Sequence, residues 1–273
     1  MKGTGARMED AVLYRVEDRV AWITLNEPEK ANRLSYRIMG QLVDFVHQAG
    51  EDARVKVIVV TGSGDKAFCA GASLDEFVLG SVLESKKHLE AYARLCRVFN
   101  SVPKPSIALI NGYAIGGGCG LARLPTFSIA SEDALLACPE IKVGVWPMMV
   151  MAILLRTVGR KKGLEFICMG EPIDGREAER IGMVTRAVPR KELRDSVMKL
   201  CETLKSRSSE ILKLGLEAFR NCADMEYDKA VSSLRDMAVI VTNTPDSIEG
   251  TRAFLEKREP RWSDYLEAES DER

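Results

Sequence analysis

The 273-residue chain is poor in the residues that mark metal, nucleic-acid and membrane proteins. It has two histidines, and none of its seven cysteines forms a Cys-x-x-Cys pair, so metal-ligand spacing is absent. Net charge is -1, with 39 basic and 40 acidic residues mixed along the chain, which lacks the basic footprint of a nucleic-acid or anionic-membrane partner. The segment SYRIMGQLVDFVHQAG likewise carries no comb of lysines. No apolar run approaches the roughly 20 residues that cross a bilayer. The opening MKGTGARMED lacks the apolar stretch of a secretory leader. The expectation is a cytoplasmic protein with reduced thiols, no metal, no membrane contact and no nucleic-acid partner.

What is present is an ordinary apolar fraction of 46% and an α/β pattern. VLYRVEDRVAWITLN reads as two short strands about a turn at Glu17-Asp18, followed by a helix over residues 33–50 with Leu34, Ile38, Leu42, Phe45 and Ala49 at helical spacing. VKVIVVTG, SIALING, FSIA and ALLA are buried-strand patterns bounded by breakers. From about Lys161 the character turns helical, with amphipathic runs such as KELRDSVMKLCETL, SSEILKLGLEAFRNC, EYDKAVSSLRDMAVIV and PDSIEGTRAFLEK. The layout predicts an α/β core over residues 8–205 and a helical region over 206–273.

The stretch GYAIGGGCGLARLP, residues 112–125, holds three consecutive glycines between a strand and the start of a helix. Glycines there either form a tight turn against a neighbouring strand or let a ligand reach unpaired helix-start N–H groups. The Lys-Ser/Thr ending of a phosphate loop is missing. A second small-residue junction, Ala70-Gly71-Ala72, leaves the strand within TGSGDKAFCAGASLDEF toward a helix-like SLDEF. Two such junctions can aim one N–H each at the same oxygen, as an oxyanion hole does.

With LNEPEKANRLS, KAFCAGASLDEF, NGYAIGGGCGLA, ACPEIKVGV, GEPIDGREAERIGMVTRAVP and EGTRAFLEKREP in order, the chain resembles the crotonase, or enoyl-CoA hydratase/isomerase, superfamily. The resemblance spans nearly the whole sequence. It implies an α/β crotonase-like (ClpP/crotonase) spiral of ββα units with a C-terminal helical trimerisation region, assembled as a homotrimer or hexamer. It also implies acyl-CoA substrates whose thioester carbonyl becomes an enolate, with coenzyme A entering as part of the substrate and no separate cofactor. The oxyanion donors would be the N–H groups of Ala72 and Gly117. Glu140, in ACPEIKVGV, matches the family's second acid/base glutamate.

For the coenzyme, the resemblance offers Lys30, Ala31, Phe68 and Ala70, with Ser73, Leu74 and Asp75 on the following loop and Phe254 and Lys257 from a segment that sometimes belongs to a neighbouring chain. Gly120 departs from the pattern, because hydratases carry their other glutamate in that place (GGGCELA), whereas this chain reads GGGCGLA. The resemblance implies hydration or double-bond isomerisation of an enoyl-CoA: the single glutamate slightly favours isomerisation, the family's commoner activity is hydration, and Asp75 is a candidate replacement for the missing group. Thioester hydrolysis, decarboxylation, or a non-catalytic CoA-binding role are the alternatives. Arg123 reads most simply as a solvated or subunit-contact residue. Trp146-Pro147-Met148-Met149 replaces the small residues often found there; these bulky apolar groups either shape an acyl pocket or pack in the core, the latter being the simpler account.

Overall fold

The computed structural model describes residues 11–72 and 80–264. The expected loop residues Ser73, Leu74 and Asp75 lie outside the described residues. Strands β1 (Val12–Glu17) and β2 (Val20–Leu25) form an antiparallel hairpin. Glu17 still pairs with Val20, so the turn falls on Asp18-Arg19, one residue later than the sequence pattern suggested. Both turn residues take left-handed φ, 47° and 61°, which matches the twist of a two-residue hairpin.

Strands β3 (Val57–Gly62), β5 (Ser106–Ile110), β7 (Phe127–Ser131) and β10 (Arg186–Val188) then add in parallel, giving a six-stranded sheet in the order β1-β2-β3-β5-β7-β10. A smaller sheet holds β4 (Ala67–Cys69), β6 (Tyr113–Ile115), β8 (Leu135–Ala137) and β9 (Ile173–Asp174) in that order. The chain repeatedly sends one strand to the large sheet, the next to the small one, and then a helix. This is the expected spiral of ββα units.

The large sheet is covered on both faces, so β3 and β5 read as continuous apolar runs rather than alternating ones. Ile58 and Val60 face the main core with helix α1 (Tyr36–Glu51), while Val57 and Val59 face Leu193, Val197 and Cys201 of α7 (Leu193–Lys205). Two helices absent from the sequence reading stand beside the glycine junctions. Helix α2 (Val82–Ser101) starts at a reciprocal cap in which the Ser81 hydroxyl accepts from the Glu84 N–H and the Glu84 carboxylate accepts from the Ser81 N–H. Helix α4 (Met148–Thr157) follows Trp146-Pro147. The short α3 (Gly117–Leu121) grows directly out of the glycine triplet.

The helices α8 (Ser209–Cys222), α9 (Tyr227–Thr242) and α10 (Pro245–Glu256) fall where the periodicity put them. Helices α8 and α9 bury no residue fully. No helix of the described residues is long and apolar enough to cross a membrane. The C-terminal region is tied to the sheet through buried polar groups. The Lys56 ammonium donates to the Lys205 carbonyl at 2.9 Å and meets the Asp264 carboxylate at 2.7 Å. Asp246 accepts from the Ser208 hydroxyl and from the Ser263 N–H at 2.8 Å.

Lys56→Met leaves the Lys205 carbonyl without this donor and the partly buried Asp264 carboxylate with Arg19, at 3.5 Å, in place of the closer lysine. Breaking such a pair from one side is expected to lower unfolding free energy by about 3 kcal/mol, read as a reduced urea midpoint. A midpoint equal to wild type would show that the tie carries no stability.

Candidate active site

Strands β4 and β6 are parallel neighbours, so both chains leave the small sheet at the same edge. Ala70-Gly71-Ala72 leaves one and Gly116-Gly117-Gly118 the other. The first junction is held by Ala70 N–H donating to the Ala31 carbonyl at 3.0 Å and Leu34 N–H donating to the Gly71 carbonyl at 2.7 Å. The two junctions touch through bare backbone. A Cβ on Gly118 would overlap the Cys69 carbonyl, and one on Gly71, whose φ is +78°, would sit 2.5 Å from the Ile115 oxygen and 3.0 Å from the Gly117 nitrogen. The Ala72 nitrogen lies 3.8 Å from the place of a Cβ on Gly117. Gly117 opens α3, so its N–H is one of the donors a helix start leaves unpaired. Among the described residues, neither the Ala72 nor the Gly117 N–H donates to a backbone carbonyl.

Ala72 and Gly117 both line a cavity of about 250 Å³, whose wall also includes Glu140, Tyr92, His88 and Trp146. Glu140 stands on the short 3-10 helix Pro139–Val143, and a Cβ on Gly116 would fall 2.7 Å from its Oε1. The carboxyl is thus beside the Gly116-Gly117 peptide, and its buried Oε2 has no hydrogen-bond partner among the described residues. Burial pushes the Glu140 pKa above the usual carboxylate range, opposed by a backbone N–H and by the charge of Arg123. Two convergent donors with one raised-pKa carboxyl can hold an oxygen that becomes negative while a proton is moved next to it. The structure brings Ala72, Gly117 and Glu140 together.

Arg123 is not solvated. It is 5% exposed, buried behind α3, with one guanidinium N–H reaching the Cys119 sulfur at 3.4 Å. Its Nε and Nη2 are buried without partners among the described residues. The Cys138 thiol and the Arg123 charge together hold the Cys119 thiol below its usual range, while Cys138 is pushed up. The expectation of an exposed or subunit-contact arginine fails because α3 turns residue 123 inward, one helical turn after Cys119. Trp146-Pro147-Met148-Met149 meets both readings: the four residues line the cavity together with Val150, while Trp146 and Met149 also pack against the main core. The chain there turns into α4 at the cavity rim, which leaves Met148 65% exposed.

The coenzyme candidates divide. Lys30, Ala31 and Ala70 lie side by side at the first junction, where Lys30 is exposed and pairs with Glu27 at 3.2 Å. The Phe68 side chain is wholly in the core, so it can offer a ligand only its backbone. Phe254 is 82% exposed on α10, and Lys257 caps that helix in a left-handed conformation. Neither belongs to the cavity wall within one chain.

Gly120 has no open space beside it. A Cβ there would overlap the Tyr92 hydroxyl and approach Val150 Cγ2 to 3.2 Å. Tyr92 Oη–H donates to the Gly117 carbonyl at 2.9 Å, and burial raises its pKa well above the usual phenol value. Tyr92 and His88 were missed in the sequence. Their four-residue spacing puts both on one face of α2, and His88 was one of two histidines to weigh.

The sequence pattern of the family described as enoyl-CoA hydratase/isomerase matches residues 15–265. A probable mitochondrial enoyl-CoA hydratase of Dictyostelium discoideum is 34% identical over 89% of this chain and 87% of its own. A crotonyl-CoA hydratase of Syntrophomonas wolfei is 31% identical over 90% of this chain and 95% of its own. Among solved structures, an enoyl-CoA hydratase of Mycobacterium smegmatis superposes with a TM-score of 0.90 at 29% identity, covering 93% of this chain and 99% of that one. The chain belongs to the enoyl-CoA hydratase/isomerase family.

Proposed function

We propose that the protein shifts the double bond of an enoyl-CoA thioester, with Glu140 as the group that removes and returns the proton. The observation that carries this reading is that Glu140, with its orphaned oxygen, is the one carboxyl among the described residues of the cavity wall, beside two amides that donate to no backbone carbonyl among the described residues, where position 120 is a glycine. The thioester oxygen of a 3-enoyl substrate accepts from the Ala72 and Gly117 N–H groups. Glu140 takes a proton from C2, and the C–H electron pair flows into the carbonyl to give a dienolate. The same carboxylic acid then returns the proton at C4 while the double bond re-forms between C2 and C3. Nothing is gained or lost overall. Two preorganised amides in a water-poor cavity supply the main stabilisation, each typically contributing about 2.7–4 kcal/mol.

The acyl chain enters the apolar wall of Trp146, Met148, Met149 and Val150, and the pantetheine follows the backbone of Phe68 and Ala70 toward Lys30 and Ala31. The uncovered stripes of α8, α9 and α10, with Phe219, Tyr227 and Phe254 mostly exposed, support a homotrimer or hexamer in which Phe254 and Lys257 reach a neighbour's coenzyme. Sedimentation should give a multiple of three times 30.2 kDa, and a monomer would remove this part.

Purified protein should turn over a 3-enoyl-CoA faster than it hydrates crotonyl-CoA, with no release of free CoA thiol. Faster hydration would overturn the isomerase reading. Glu140→Gln should reduce kcat by about 10²–10⁴-fold with a small change in KM. Because the Glu140 carboxylate is the active form and burial raises its pKa, kcat/KM should fall with falling pH at values above the ordinary carboxylate range. Removing the opposing charge with Arg123→Met should move that limb to higher pH. An unmoved limb would show that Arg123 does not act on Glu140.

A further inference from the structure

We propose that Tyr92 determines which reaction the site performs, by filling the place from which a second acid/base side chain would serve the β-carbon. The proposal rests on the reading of the cavity as an enoyl thioester site. Its ground is the mutual exclusion of residues 92 and 120. The Tyr92 hydroxyl occupies the position of a Cβ on Gly120, with the ring carbon Cζ only 3.3 Å away. The ring is nearly fully buried and cannot swing into solvent. It packs with its Cε2 at 3.3 Å from a Cβ on Gly117, on the same cavity wall as Glu140. Gly120 is therefore glycine because Tyr92 is tyrosine, and the two positions form one feature.

The chemistry follows from what a phenol can do in that place. With its proton given to the Gly117 carbonyl at 2.9 Å and its ionisation suppressed by burial, Tyr92 is a neutral group that offers no base. It holds α3 in position and fills volume that a water and its activating carboxylate would need. Water addition requires an oxygen to be deprotonated as it attacks C3, with the electron pair of the double bond passing to the enolate and a proton then delivered to C2. Tyr92 withholds the first of these steps. Proton transfer through Glu140 alone is left, which needs no water at C3.

The test measures the ratio of hydration to isomerisation, which does not depend on how much of a preparation is folded. Three variants are compared with wild type on crotonyl-CoA and a 3-enoyl-CoA: Gly120→Glu, Tyr92→Phe, and Tyr92→Leu combined with Gly120→Glu. The double variant should raise the ratio by about 10²-fold over wild type, at the low end of what one acid/base group supplies. Gly120→Glu alone should leave it near the wild-type value, because the glutamate cannot seat against the phenol. Tyr92→Phe keeps the ring packed and supplies no base, so its ratio should stay near the wild-type value. A double variant no better than Gly120→Glu alone, or a Tyr92→Phe ratio as high as that of the double variant, overturns the role of Tyr92. A wild type that hydrates faster than it isomerises overturns the isomerase reading instead, whatever the variants do.

Discussion

The site depends on two backbone segments approaching more closely than any side chain would permit. Gly118 lies against the Cys69 carbonyl, and Gly71, in the left-handed region, lies against the Ile115 carbonyl and the Gly117 nitrogen. This contact brings the ends of β4 and β6 together so that Ala72 and Gly117 line one cavity. Under the proposed reading the donors are main-chain atoms held by the sheet and the start of α3, a preorganised arrangement that would need little reorganisation when charge develops. The surrounding hydrogen bonds of Ala70 with Ala31 and of Leu34 with Gly71 fasten the same loop from its other side.

The electrostatics of the pocket are consistent with that geometry. The wall is apolar, so an unpaired carboxyl oxygen there is held in its protonated form more readily than in water. Arg123 sits behind Cys119 rather than in the cavity, and its field opposes the effect of burial on Glu140 without offering a direct salt bridge. A group caught between these two influences can both give and take a proton, which a strongly paired carboxylate could not.

The fold was largely legible because its strands and helices carry unmixed periodicity. The buried runs VIVVTG and SIALI, and the stripes of α7 to α10, fall where sequence spacing put them. Helix α2 escaped because its buried face is built from His88, Ala91, Tyr92, Leu95 and Phe99, two of them polar-tipped residues that do not read as an apolar stripe. The cap Ser81-x-x-Glu84 was the available signal. Of the site, the glycine junctions and Glu140 were legible, because a close approach demands particular residues in a local order. The burial of Arg123 and the place of Tyr92 were not, since each depends on which way a helix faces after distant segments have packed.

One enolate serves two reactions, and what differs is only what stands at the next carbon of the substrate. Binding the thioester oxygen lowers the barrier for proton transfer and for water addition alike, so the amides cannot choose between them. The choice falls to the wall of the cavity opposite the amides. A carboxylate side chain at position 120 of α3 would claim the space that the Tyr92 phenol of α2 fills beside Gly117, and position 120 is a glycine. A substitution at either position alone meets the other residue: a side chain at 120 clashes with the ring, and loss of the ring leaves an unfilled apolar space. Changing the chemistry therefore requires both positions to change together, which is the physical reason that an empty place in the sequence corresponds to a filled one in the structure.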